Sequence, residues 1–415
     1  MGKRKIILVT LLSLLTLLCI GCIEDSTVNA KTTINAESVE DYDIAAANNA
    51  FTFDMYSTIK GQDENIFFSP YSIFTAMAVC YDGAEGSTKE QMSNVFYYPL
   101  SKSVLERRTK EMIDIINSDN DAYDLETANA LWVLEEYPLN EQYVSNVENY
   151  YEGMITPLDF AGQPEKSRLV INSWVEKKTN DKIKDLLAEG SIDGNTRLII
   201  TNAVYFNGTW LQEFEEAGTR KKVFYLSDGQ EKKVDTMYAI ETYNYGEDAN
   251  AHILELPYKG DDISMYVILP SGNNIEEFEN DLTLDYYNEL KDTLNFDEVK
   301  ILLPKFTFEA RTELNEPLQD MGIVDAFDSG MANFSGISAS DGLFISEVIH
   351  QTYIRVNEKG TEAVAVTGVV MDESLPYYKY EFTADHPFMF FIEDKRTECI
   401  LFMGKVESPE YEEMS

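Results

Sequence analysis

Apolar positions along this chain change period repeatedly, and each change marks an element. Between Tyr42 and Ile59, the residues Ile44, Ala47, Phe51, Met55 and Ile59 recur at helical spacing, which predicts a helix that Gly61 stops. After Pro70, the run from Tyr71 to Tyr81 is apolar almost throughout, so the helix it predicts is buried. Helical spacing returns over 102–117, over Glu141–Tyr151 and from Leu169 onward, where Ile171, Trp174, Val175, Ile183, Leu186 and Leu187 face one side. Leu125–Leu134 reads as a strand, and Leu198–Phe206 (LIITNAVYF) as a strand too apolar and β-branched for a sheet edge, ended by Asn207-Gly208. From Lys221 to Gly272 short strands alternate with turns, and an acidic helical run covers Ile275–Leu294. Ile301–Phe308 alternates as a strand whose Pro304 places it near an edge or bulge. Leu343–Val356, Tyr378–Phe382, Phe388–Ile392 and Leu401–Val406 are strands as well. No internal repeat or composition break divides residues 41–408, which predicts one domain.

Glu358–Pro376 fits neither period. It holds Gly360, Thr361, Ala363, Val364, Ala365, Val366, Thr367 and Gly368, with no charge between Glu362 and Asp372. A loop this long inside a compact domain is usually functional, and loops are normally polar. This one is small, neutral and strand-prone, so it reads as an exposed segment that a sheet can accept as a central strand.

Composition narrows the partners. Against 33 basic residues stand 73 acidic ones, a net charge of −40, which excludes nucleic acid and anionic lipid as binding surfaces because phosphate contacts need Lys and Arg. Lys3, Arg4 and Lys5 precede an apolar core, Ile6–Ile20, that is too short and wrongly flanked for an ordinary membrane span, and Gly21-Cys22 closes it. Residues 1–22 resemble a lipoprotein signal in which Cys22 is lipidated; Cys19 stands where that pattern prefers Leu, so a plain signal peptide or a retained anchor stays open. Residues 23–40 are polar and aperiodic, a flexible tether, and 409–415 form an acidic tail. The expected location is extracellular or on the cell surface, lipid-anchored at Cys22. Cys80 and Cys399 each sit in an apolar context and are expected as buried thiols, with one disulfide as the alternative. There is no nucleophile elbow, zinc-protease motif, phosphate loop or Cys pair at metal spacing, so neither enzyme activity, cofactor nor metal is expected.

Several stretches together resemble the serpins, the serine protease inhibitor family. Glu358–Pro376 looks like their hinge and reactive loop, and Phe382-Thr-Ala-Asp-His-Pro-Phe388 like the signature after it. Asn65-Ile-Phe-Phe-Ser-Pro70, Gly83-Ala-Glu-Gly-Ser-Thr88, the Asn172–Ile183 helix, Leu198–Trp210 and Leu318–Ser338 are similar to family motifs in the family's order. The resemblance implies an α+β fold with three β-sheets, about eight or nine helices and an exposed reactive loop. It implies a hinge at Glu358, Gly360, Thr361, Glu362, Ala363, Val364, Ala365, Val366 and Thr367. It implies a sheet-opening cluster of Ser69, Ser72, Asn202, Trp210 and His350, in which His350 is a structural histidine; a Ser–His catalytic pair is the sharper alternative.

The function so implied is suicide inhibition. A protease acylates itself on the loop, and the freed upstream half inserts into the main sheet before deacylation. Counting from Glu358 at the family's spacing places the reactive bond at Ser374-Leu375, with Glu373-Ser374 as the alternative; Leu375-Pro376 is disfavoured because Pro follows the bond. A Ser or Glu there points away from trypsin-like enzymes and toward elastase-, subtilisin- or glutamyl-like serine proteases, or a cysteine protease, met by a monomeric inhibitor. Val364 and Val366 depart from the family's alanine tendency, with slower insertion as the consequence. A non-inhibitory serpin-fold carrier or chaperone is the alternative, and an unrelated surface lipoprotein that binds ligand or hydrolyses is a further one.

Overall fold

A computed structural model of the chain describes residues 42–61, 65–118, 122–361 and 378–411. The signal and tether, Cys22, the hinge from Glu362 to Thr367 and both reactive-bond candidates at Glu373, Ser374 and Leu375 lie outside the described residues. Among those described, nine α-helices occur: α1 (Ile44–Ile59), α2 (Pro70–Gly83), α3 (Gly86–Phe96), α4 (Lys102–Ile116), α5 (Glu141–Tyr150), α6 (Pro164–Lys178), α7 (Ile275–Asp281), α8 (Leu284–Lys291) and α9 (Asn315–Asp320).

Strands, numbered likewise along the chain, form two hydrogen-bonded sheets. The main sheet runs β10 (Phe306–Glu313), β11 (Ile345–Asn357), β12 (Gly360–Thr361), β4 (Leu198–Thr209), β2 (Tyr123–Leu134), β3 (Met154–Leu158). The larger runs β1 (Ile66–Phe68), β15 (Cys399–Val406), β14 (Phe388–Asp394), β8 (Ile263–Pro270), β7 (Ala251–Pro257), β6 (Glu231–Glu247), β9 (Asn295–Pro304), β13 (Tyr380–Thr383), with β5 (Arg220–Tyr225) beside β6. Long β6 pairs β5 and β9 over most of its length and β7 only from Asn244, so the ladder has two lobes. Both lobes stay hydrogen-bonded through β6 as one nine-stranded sheet, beside the six-stranded main sheet.

Local chemistry explains the elements. Ser69 accepts from the Ser72 N–H at the start of α2 and Pro70 takes the first helical position, where a missing N–H costs nothing. Every residue of α2 is buried, as its continuous apolar run requires.

Three expectations change. Helix α6 stops at Lys178, because Asn180, Asp181 and Asp185 take left-handed backbone. Ile183, Leu186 and Leu187 nevertheless pack with Ile171 and Val175 over Trp132, Ile199 and Ile349, so burial survives where the helix does not. The Ile275–Leu294 run breaks into α7 and α8, the second capped by Thr283. The Ile301–Phe308 strand is two strands in different sheets: Pro304 closes β9, Lys305 is the link and Phe306 opens β10.

Candidate functional site

β4 and β11 run parallel and paired from Leu198 and Ile345 up to Tyr205 and Tyr353. Above that point they separate, and β12 lies antiparallel between them, with Thr361 opposite both Val356 and Gly208 and Gly360 opposite Asn357 and Thr209. The chain that leaves β11 has therefore doubled back into its own sheet within Glu358 and Lys359. Two glycines make room for this. A Cβ on Gly360, whose φ is +150°, would meet Gly208 O at 2.0 Å, and one on Gly208 would meet the Tyr258 ring at 2.7 Å. Gly208 thus continues β4 instead of ending it, a correction to the turn read from Asn207-Gly208.

Trp210 closes this gap from above. Its N–H and indole Nε1–H donate to Lys359 O and Asn357 O, and its ring stacks on Tyr258 at 4.5 Å between centroids. Tyr258 OH and Thr361 Oγ1 are 2.7 Å apart, so the Thr361 side chain points to the core and is buried. Phe214 N–H donates to Glu358 O, and the carboxylate of Glu358 pairs with Lys305 at 3.1 Å.

Midway down the sheet lies a row of polar residues. Asn202 pairs with Asn129 across β2 and with His350 across β11. His350 Nδ1 contacts Asn202 Oδ1, and its Nε2 accepts from the Ser69 N–H at 2.9 Å. Asn202 Nδ2 donates to Ser72 O at 2.8 Å and also reaches Ser72 Oγ and Asn129 Oδ1. Every one of these groups finds a partner, as buried polar atoms must. Burial pushes the His350 pKa down to about 3, against the raising effect of its bond to Asn202, so the imidazole stays neutral. The Ser69 hydroxyl donates to Leu401 O, not to the imidazole, so the two do not form a nucleophile–base pair.

The structure brings Ser69, Ser72, Asn202 and His350 together and sets Trp210 apart from them, with Glu358, Gly360 and Thr361. Asn129, Tyr258 and Lys305 belong to these two places and were not singled out from sequence. A lone Asn inside the strand run ETANALW was the one available signal for Asn129. Cys80 and Cys399 are free and buried, and burial pushes both thiols up, which removes the disulfide alternative. His252 contacts Tyr245 and Glu247, and His386 contacts Asp385 and Pro270 O, both structural roles.

A family model described as serpin (serine protease inhibitor) matches residues 46–409. A serpin-like protein of Methanosarcina acetivorans is 62% identical over 426 residues, covering 100% of both chains. Human plasminogen activator inhibitor 2 is 36% identical over 88% of this chain and 100% of its own. Uncleaved ovalbumin, a solved structure, matches with a TM-score of 0.80 at 31% identity, over 89% of this chain and 100% of its own.

Proposed function

The chain belongs to the serpin family, whose members are generally inhibitors of proteases rather than enzymes, and we propose that it traps a serine-type endopeptidase outside the cell as a suicide substrate. The protease cleaves at Ser374-Leu375, or at Glu373-Ser374, and remains joined to the upstream fragment as an acyl-enzyme. That fragment then completes the strand that β12 begins, and the tethered enzyme is carried away from the geometry it needs for deacylation. Elastase-, subtilisin- and glutamyl-like enzymes are the target classes. The monomeric inhibitor is held near the cell by lipid on Cys22.

The observation that carries this proposal is the two-residue strand itself: Gly360 and Thr361 already occupy the first rungs between β11 and β4. Continued in the same register, the loop meets both neighbours in step. Six residues on, Thr367 falls opposite Asn202 on one side and His350 on the other, the two residues that now pair with each other. Alternation puts Thr361, Ala363, Ala365 and Thr367 on the core face, and Glu362, Val364, Val366 and Gly368 on the other. Small neutral side chains on the core-facing set enter without clash or buried charge.

To test this, the protein is mixed with a panel of the three protease types and run on denaturing gels, with mass spectrometry of the released peptide. A boiling-resistant complex and a carboxy-terminal fragment starting at Leu375 or Ser374 are expected. Clean cleavage without complex by every protease overturns the trap in favour of a non-inhibitory surface protein.

A further inference from the structure

Glu358 is held from two sides. One carboxylate oxygen accepts from the Thr219 hydroxyl at 2.6 Å, on the segment that follows β4, and the other lies 3.1 Å from Lys305 Nζ, on the β9–β10 link. A single buried side chain therefore ties the two halves of the main sheet together above the point where β4 and β11 part. Lys305 carries one more contact: its ammonium sits 4.0 Å from the centroid of the Tyr411 ring.

Tyr411 reaches Lys305 because the chain after β15 is strapped along the free edge of β10. The Thr307 N–H of that edge donates to Glu410 O at 2.6 Å, and Lys232 donates to Ser408 Oγ and pairs with Glu410. Upstream, Asn65 Oδ1 accepts from the N–H groups of Glu407 and Ser408, so the strap is fixed at both ends of its described length. With 73 acidic residues against 33 basic ones, carboxylates outnumber the cations that can pair with them. An aromatic face over Lys305 restricts its rotamers and shields it from solvent, which keeps the charge on Glu358.

We propose that Tyr411 is a positioning residue for loop insertion: through Lys305 it latches Glu358 and slows the parting of β4 and β11. This rests on the insertion proposed above, in which those strands must separate. Tyr411 then restrains the uncleaved state.

Uptake of a peptide reads sheet opening without any protease, so the two proposals can fail separately. A synthetic peptide of residues 361–374 is incubated with the full uncleaved chain, and its incorporation is followed by mobility on native gels. The expected result is slow uptake by the wild type, about two- to five-fold faster uptake by Tyr411→Ala, and the wild-type rate for Tyr411→Phe, which keeps the ring. Equal rates for wild type and Tyr411→Ala overturn the latch and leave insertion standing. No uptake by any variant overturns insertion, and the latch with it.

Discussion

Replacing Thr361 by Arg should turn the inhibitor into a substrate, and the size of the effect can be worked from the sheet. Thr361 is buried to 1% exposure, with its hydroxyl on Tyr258, itself fully buried. The carboxylates described near the hinge root are already engaged, Glu358 by Lys305 and Thr219, and Glu213 and Glu216 by Lys359. A guanidinium placed there loses water and gains no partner, at a cost of about 3 kcal/mol or more. In the acyl-enzyme two steps compete, insertion and hydrolysis. That cost drives the substituted residue off its rung in the intact chain, so insertion has to bury it anew, and a barrier raised by about 3 kcal/mol slows that step by roughly 100-fold and leaves hydrolysis untouched. A wild type that loses about one loop in ten to hydrolysis would then lose about nine in ten. Titrating a fixed amount of protease with increasing inhibitor reads the ratio directly as the stoichiometry of complete inhibition. Thr361→Ser, which keeps the hydroxyl and adds no volume, should retain the wild-type value. An unchanged stoichiometry for Thr361→Arg would refute insertion at this site, because no strand can enter with that side chain on the core face.

Three more outcomes follow. Thr367→Val should lower the melting temperature of the loop-cleaved form, and not that of the intact form, because a methyl between the facing atoms Asn202 Oδ1 and His350 Nδ1 leaves those two atoms unpaired, at about 1–3 kcal/mol each; equal shifts in both forms would contradict the register. His350 makes stability fall with acid: its folded pKa of about 3 lies below the unfolded value near 6.5, so between those two pH values the unfolded chain binds a proton that the folded chain refuses, at about 1.4 kcal/mol per pH unit. The melting temperature of His350→Asn should therefore decline less steeply than that of the wild type from pH 6.5 downward, with parallel curves as the contrary result. Gly208→Ala places a methyl 2.7 Å from the Tyr258 ring and should expel β12, seen as faster proteolysis after Lys359 and lower stability; unaltered susceptibility would show that the ring can move aside.

The elements were largely legible because their periods are long and clean. The largely apolar α2 and the β-branched core of β4 each carry a composition that admits one environment. Misreadings arose where burial and secondary structure part company. Ile183, Leu186 and Leu187 keep a helical spacing and a common burial, yet three left-handed residues interrupt the backbone between α6 and the sheet. Pattern alone reports which side chains are inside, not what backbone carries them. Site residues divided in the same way. Ser69, Ser72, Asn202 and His350 were reached through the family resemblance, which carries particular positions and not only a pattern. Tyr258 and Lys305 were not, because a Tyr after Leu-Pro and a Lys after Leu-Pro look like ordinary surface link residues, and only the fold brings them beneath the hinge.

The polar row also bears on how such a sheet can be slow to change without being unwilling to. In the intact chain Asn202 and His350 contact one another, and on the proposed insertion Thr367 would lie between them as a hydroxyl that can donate and accept. Both end states therefore pair these groups. Between them, once β4 and β11 have parted and before the loop arrives, His350 Nδ1 and Asn202 Oδ1 would lose each other while the bonds to Ser69 and Ser72 remain, at about 1–3 kcal/mol for each atom. A Val or Leu pair in their place would lose only dispersion contacts on separation and would open the sheet more readily. Above the row, Glu358 adds a second restraint of the same kind, since its ties to Thr219 and Lys305 reach across the two halves that must move. Placing hydrogen-bonded polar groups at the line of parting thus raises the barrier more than it shifts the balance between intact and inserted sheets. That is the requirement for an inhibitor whose uncleaved fold must persist until a protease releases the loop.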